Sequence, residues 1–218
     1  MLMRYRIAAV LVSLSVCVPA ISYAQAREYR YESIVVNAAV QADSTVRIDE
    51  EQTYRFTGAY HQGYRSIPHK ALGAITDIRV VDKATGKDLE YSLDPLAIDD
   101  PSSWGKYMYY EKNGPTIIEW YFDLKDTTHT WDILYTVHGA LGFYRDHDEL
   151  YWNLFTDYDV PVDEVQAVVT LPGAVTKPTY AFYVEPELPF VKNQNDDRSF
   201  MFSVSHVPPK AKLTFAVG

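Results

Sequence analysis

The side chains in this chain that could do chemistry gather in a few short stretches, of which Asp146-His147-Asp148-Glu149 is the densest in metal-ligand types. Hard oxygen donors in a loop suit calcium, so Asp146, Asp148 and Glu149 are the candidate ligands and calcium the candidate ion. The stretch lacks the Asp-x-Asp-x-Asp-Gly spacing of a calcium loop, and its plainer reading is an acidic hairpin loop leading into a strand at Leu150. Arg65, set between Tyr64 and Ile67-Pro68, is the second candidate. A guanidinium there could clamp a ligand carboxylate or stack on a ring, or it could close an internal ion pair, for instance with the Asp146 to Glu149 loop. Asp157 and Asp159 are spaced as a carboxylate pair that glycoside hydrolysis could use, although 29 acids make such pairs common by chance. Trp104 with Tyr107, Tyr109 and Tyr110 offers flat rings on which a sugar could stack, or which could cover a core instead.

Other reactive signatures are missing. The chain has no Gly-x-Ser-x-Gly elbow, no His-Glu-x-x-His, no phosphate loop and no cluster of His with Cys. No catalysis and no obligate cofactor are therefore expected. Acids outnumber Lys and Arg by 29 to 20, which gives a net charge of -9. Such a surface repels phosphate backbones, so nucleic acid is not an expected partner.

The elements that must position these residues are strands. Val46, Ile48, Tyr54 and Phe56 alternate with Arg47, Asp49, Glu51, Thr53 and Arg55, as a strand with one wet face does. Ile118, Trp120, Phe122 and Leu124 oppose Glu119, Tyr121 and Asp123. Trp131, Ile133, Tyr135 and Val137 repeat the pattern, followed by Val165, Ala167, Val169 and Leu171, then Phe200, Phe202 and Val204, then Leu213, Phe215 and Val217. Breakers separate the runs at Ala84-Thr85-Gly86-Lys87, Lys112-Asn113-Gly114-Pro115, Leu171-Pro172-Gly173 and residues 193–198. The expected fold is all-β, an antiparallel β-sandwich of immunoglobulin-like or larger jelly-roll-like form. Short helical turns are expected only near Ser102 to Tyr107 or Val162 to Glu164, with a loop over residues 94–106.

The first residues read as an address. Arg4 and Arg6 precede an apolar run from Ile7 to Val18, and Ser22-Tyr23-Ala24 supplies the small residues a signal peptidase needs. Residues 1–24 are expected to be a signal peptide and residues 25–218 a single β-sandwich domain. The sole cysteine, Cys17, would leave with the leader, so no disulfide is expected. No Asn-x-Ser/Thr acceptor occurs either, and export from a bacterial cell fits both absences. The expected location is the periplasmic or cell-surface side of a membrane.

Gly58-Ala59-Tyr60-His61-Gln62-Gly63-Tyr64-Arg65-Ser66-Ile67-Pro68, and later Glu149-Leu150-Tyr151-Trp152-Asn153 running on to Asp159-Val160-Pro161-Val162, resemble the domain of unknown function 2207. In that family of predicted bacterial and archaeal membrane proteins, a signal and an extracytoplasmic β domain carry Gly-x-x-Arg-x-Ile-Pro and Glu-Leu-Tyr-Trp-Asn stretches. The resemblance implies a membrane anchor after Gly218, with this chain a fragment of a longer protein or a soluble stand-alone version. It supplies no activity. The function expected is a binding or interaction domain whose partner is an envelope protein, with a carbohydrate or cell-wall binding module as the alternative and a glycoside hydrolase behind it. Arg65, Tyr151 and Trp152 are the candidate binding residues. On a regular strand Tyr151 and Trp152 point to opposite faces, so one is expected in the core.

Overall fold

The computed structural model describes residues 27–68, 72–155 and 158–218. The expected leader, residues 1–24, and Cys17 lie outside the described residues. The chain opens with β1 (Glu28–Val40), β2 (Val46–Thr57), β3 (Ala59–Ile67), β4 (Ala74–Asp82) and the short β5 (Lys87–Asp88) and β6 (Glu90–Tyr91). After a 3-10 turn at Pro101–Ser103 come β7 (Lys106–Glu111), β8 (Thr116–Lys125), β9 (Thr128–His138), β10 (Leu141–Phe143) and β11 (Asp148–Phe155). The last strands are β12 (Val162–Thr170), β13 (Tyr180–Glu185), β14 (Phe190–Gln194), β15 (Ser199–Val207) and β16 (Lys212–Val217).

These strands form an all-β sandwich whose second layer is split. One layer is an eight-stranded sheet in the order β14-β15-β12-β1-β2-β9-β4-β5. Two four-stranded sheets, β10-β11-β16-β13 and β3-β8-β7-β6, lie over its two halves. Phe202 of β15 stacks on Phe215 of β16 with centroids 5.7 Å apart, joining the large sheet to the first. Trp131 of β9 meets Phe122 of β8 at 4.6 Å and joins it to the second. One hydrophobic core runs beneath both. The inward residues are those that alternation selects: Trp131, Ile133, Tyr135 and Val137 are buried, as are Phe200, Phe202 and Val204, and Leu213, Phe215 and Val217.

Most pairings are antiparallel, but β1 runs parallel to β12 and β6 parallel to β7. The long strand β1 escapes a simple period-two pattern because its register shifts between Tyr31 and Ser33. A bulge resets the alternation there, so Tyr31 and Ile34 both face the core. Val162 to Glu164 forms the start of β12 rather than a turn, with Val162 paired to Tyr31 and Val207. Val162 and Val165 are both buried three positions apart, which hides the start of the strand, though not its run from Val165, from a search for strict alternation. Near Ser102 the helical turn is confined to Pro101–Ser103, where the Asp100 carboxylate accepts from the Ser102 N–H at 2.9 Å. The chain then becomes extended from Lys106. Tyr121, expected on the wet face of β8, is buried. Its strand lies between β3 and β7, and its hydroxyl donates to Glu119 at 2.9 Å while accepting from Gln62 at 3.1 Å. Burial and Glu119 push this phenol up to about 12.

Candidate functional site

Arg65 sits where all three sheets meet. It lies on β3 and is 4% exposed; facing it from β2 is Glu50, 1% exposed. The Arg65 Nε donates to Glu50 Oε2 at 2.9 Å, Nη1 donates to the Ser66 carbonyl at 2.9 Å, and Nη2 donates to the Leu154 carbonyl at 2.6 Å. One side chain thereby ties β3 to β2 across the sandwich and to β11 in the neighbouring sheet, 89 residues along the chain. The pair is internal, as one reading of the sequence has it, but its acid is Glu50 and not one from the Asp146 to Glu149 loop.

The rest of the Glu50 carboxylate is satisfied nearby. Gln52 donates to its Oε1 at 2.6 Å and the Tyr135 hydroxyl to its Oε2 at 3.2 Å. Tyr54 donates to the Gln52 amide oxygen, and Gln52 in turn reaches the Tyr158 hydroxyl at 3.3 Å. Burial alone would lower the Arg65 pKa, but Glu50 raises it well above the ordinary guanidinium value, so the cation persists. Burial pushes the Tyr31, Tyr54 and Tyr135 phenols well above 10 and keeps them neutral. Sequence reasoning passed over Glu50 and Gln52, yet their positions were legible. Between Ile48 and Tyr54 the alternation never breaks, so the two polar residues in phase with the core must point into it. Gly63 belongs to the same design: a Cβ there would stand 2.4 Å from the Trp120 ring.

Outside this junction lies a cavity of about 480 Å³, with Ile67 and Pro68 at the end of β3 on one side and Glu149, Tyr151 and Asn153 of β11 on the other. Arg65, Trp152, Leu72, residues 139–142 and Tyr144 complete its wall. The two stretches that carry the family resemblance therefore converge on one hollow. Alternation divides their residues: Trp152 is 5% exposed and packs inward, with its indole nitrogen buried without a hydrogen-bond partner, whereas Tyr151 is 53% exposed. β10 pairs with β11 only from Asp148 to Leu150, so the rest of that edge of β11 borders the hollow.

The other candidates are dispersed. Asp146 is exposed and bonds its neighbour His147 at 3.0 Å, which holds the carboxyl below the usual range. Asp148 and Glu149 are successive strand residues and project to opposite sides. Among the described residues no group of three or more His, Cys, Asp or Glu comes together as a metal site. Asp159 is ion-paired to Lys210, and Asp157 lies outside the described residues. Of the four aromatic residues near residue 104, Tyr107 is buried and donates to the Ile78 carbonyl at 2.8 Å, and Tyr110 donates to Glu119 at 3.1 Å. Trp104 covers His61 at 5.5 Å, which leaves Tyr109, stacked on Tyr91, as the exposed ring.

The fold is that of a split-layer all-β sandwich, with a hollow beside its central ion pair. Residues 30–218 match the N-terminal domain of the predicted membrane proteins known as DUF2207, and the chain belongs to that family. No curated protein matches the chain. Among solved structures, yeast LTA4 hydrolase in complex with bestatin is similar with a TM-score of 0.51 at 10% identity, over 94% of this chain and 31% of that one. A putative protease from Parabacteroides distasonis ATCC 8503 gives 0.48 at 11% identity, over 87% of this chain and 40% of that one. A putative nutrient binding protein from Legionella pneumophila gives 0.49 at 11% identity, over 87% and 66%. The chain thus spans a minor part of the first two, and the likeness to the yeast enzyme is one of fold. No helix among the described residues is long and apolar enough to cross a membrane.

Proposed function

We propose that this chain is the extracytoplasmic recognition domain of a membrane-anchored protein, exported by residues 1–24 and acting by binding rather than catalysis. Its partner is a component of the envelope, protein or cell-wall polymer, and its contact surface is the side of the β10-β11-β16-β13 sheet that faces away from the core. The observation that carries this reading is the convergence of the two family stretches on one hollow of about 480 Å³ beside the exposed Tyr151. Packing alone would not require an open hollow at that place, and a hollow with a few convergent polar groups is the usual form of a binding site. The hydrolase alternative loses support because Asp159 is committed to Lys210. Calcium loses support because the acidic loop does not assemble a ligand set.

The test is a photo-crosslinking amino acid placed at position 151, or at the exposed position 109 as a control, in the protein expressed with its leader in a bacterial host that encodes a family member. The expected result is an adduct from the extracytoplasmic side at 151 and none at 109. Equal labelling at both positions, or none at 151, would refute the proposed surface.

A further inference from the structure

We infer that Tyr151 and Tyr183 form a stacking platform for a neutral glycan chain. The inference deepens the proposed recognition role and rests on it. Strand alternation sends Tyr151 and Asn153 of β11, Thr214 and Ala216 of β16, and Tyr183 and Glu185 of β13 to the outward face of one sheet. The register sets Tyr151 beside Ala216 and Tyr183 beside Thr214, so the middle strand offers only small side chains between two large ones. Both rings lean over that gap. Their centroids are 6.2 Å apart at an interplanar angle of 40°, and Thr214 and Ala216 are buried beneath them although they face away from the core. The rings themselves stay open, Tyr151 53% and Tyr183 55% exposed.

A hollow flanks the platform on each side. The first, of about 480 Å³, is the one bounded by the family stretches; the second, of about 490 Å³, reaches Phe190 and the Lys212–Glu185 ion pair. Tyr151 and Asn153 line both, so the two hollows adjoin at this strand. The polar groups along the way are an amide, a hydroxyl and a cation next to an acid. Asn153 accepts from the Thr214 hydroxyl at 2.6 Å through its oxygen, which leaves its NH₂ to donate outward. Lys212 donates to Glu185 at 3.1 Å.

Rings that bind by their faces, combined with donors and acceptors at the margin, suit a ligand with apolar C–H faces and a hydroxyl rim. An apolar partner would leave those polar groups unpaired, which is costly once water is excluded. Charge narrows the class further: Glu149 stands at one end of the track, Lys212 and Glu185 offset one another at the other, and the whole chain carries -9. Acidic polymers are therefore repelled, and a chain of neutral or N-acetylated hexoses fits.

Isothermal titration of the purified protein with chitohexaose, cellohexaose, polygalacturonate and oligolysine tests this, with Tyr151→Ala, Tyr183→Ala, the double variant and the two Phe variants compared. Saturable binding of one or both neutral hexasaccharides is expected, about tenfold weaker in each Ala variant, undetectable in the double variant and within about threefold of the parent in the Phe variants. Thermal unfolding of each variant, measured alongside, must remain cooperative and close to the parent, since both tyrosines are exposed. No binding of either neutral hexasaccharide overturns the inference, and so does undiminished binding in the well-folded double variant. If oligolysine or polygalacturonate alone binds, the neutral-glycan assignment fails while the recognition role stands; a silent titration together with no crosslink at 151 removes both.

Discussion

Arg65 and Tyr151 border the same hollow and come from the two stretches that mark the family, yet they live in opposite environments. Arg65 is sealed among three sheets and has donors committed to Glu50, Ser66 and Leu154. Tyr151 stands on an outward face with its ring half open, against one other exposed ring. A family stretch is therefore not a functional unit as a whole. Strand alternation divides it residue by residue into a part that holds the sheets together and a part that meets the outside.

The sharpest way to break this contrast is to unpair the junction. Glu50→Ala or Arg65→Ala leaves an uncompensated buried charge and is expected to destabilise by about 3 to 5 kcal/mol, read as a collapse of the urea midpoint or as failure to fold. Arg65→Lys keeps the charge but loses the fork that reaches two carbonyls. It should lower stability by about 2 kcal/mol, because a buried acceptor left without a donor costs about 1 to 3 kcal/mol. If it instead keeps its stability while losing binding of an envelope partner, Arg65 belongs to the recognition surface and the contrast is wrong. Gly63→Ala forces a methyl to within 2.4 Å of the Trp120 ring. Overpacking of this kind should cost about 1 to 3 kcal/mol in the same unfolding assay.

Alkali probes the junction without mutation. The Tyr31, Tyr54 and Tyr135 phenols have folded-state pKa values raised by burial above 10. Their contribution is complete below about pH 10, where the unfolded chain is also protonated, and is lost as pH rises through the raised folded values. The melting temperature should hold level up to about pH 9 and fall beyond pH 10, with tyrosinate absorbance from these residues emerging only on unfolding. Tyr135→Phe should soften that fall. At the other end of the scale, Tyr183→Ala should change stability by less than about 1 kcal/mol, the range of strand propensity at exposed positions. That small effect on folding sharpens any loss of binding it causes.

Much of this arrangement was legible from the residues. The strands with an unbroken period of two faced as expected, and the same rule put Tyr151 and Trp152 on opposite faces, while only the fold shows that Trp152 is the inner one. It also held the information on Glu50 and Gln52, which sit in phase with Ile48 and Tyr54 and whose polarity disguised them. What could not be read was long-range. No local pattern shows that β1 lies parallel to β12, that the second layer is split, or that Arg65 reaches Leu154. The platform at Tyr183 was hidden for the same reason, since its partner ring arrives through β16 from another part of the chain. The aromatic residues from Trp104 to Tyr110 looked more promising in sequence, and folding sends them in different directions.

The most direct test of the division is a map of backbone amide chemical shifts in the isotope-labelled protein as chitohexaose is added. Saturable changes confined to outward positions of β11, β13 and β16, with the amides around Glu50 and Arg65 unmoved, are the predicted result. Changes centred on the Glu50–Arg65 junction or around Tyr91 and Tyr109, or no saturable change at any amide, would contradict it.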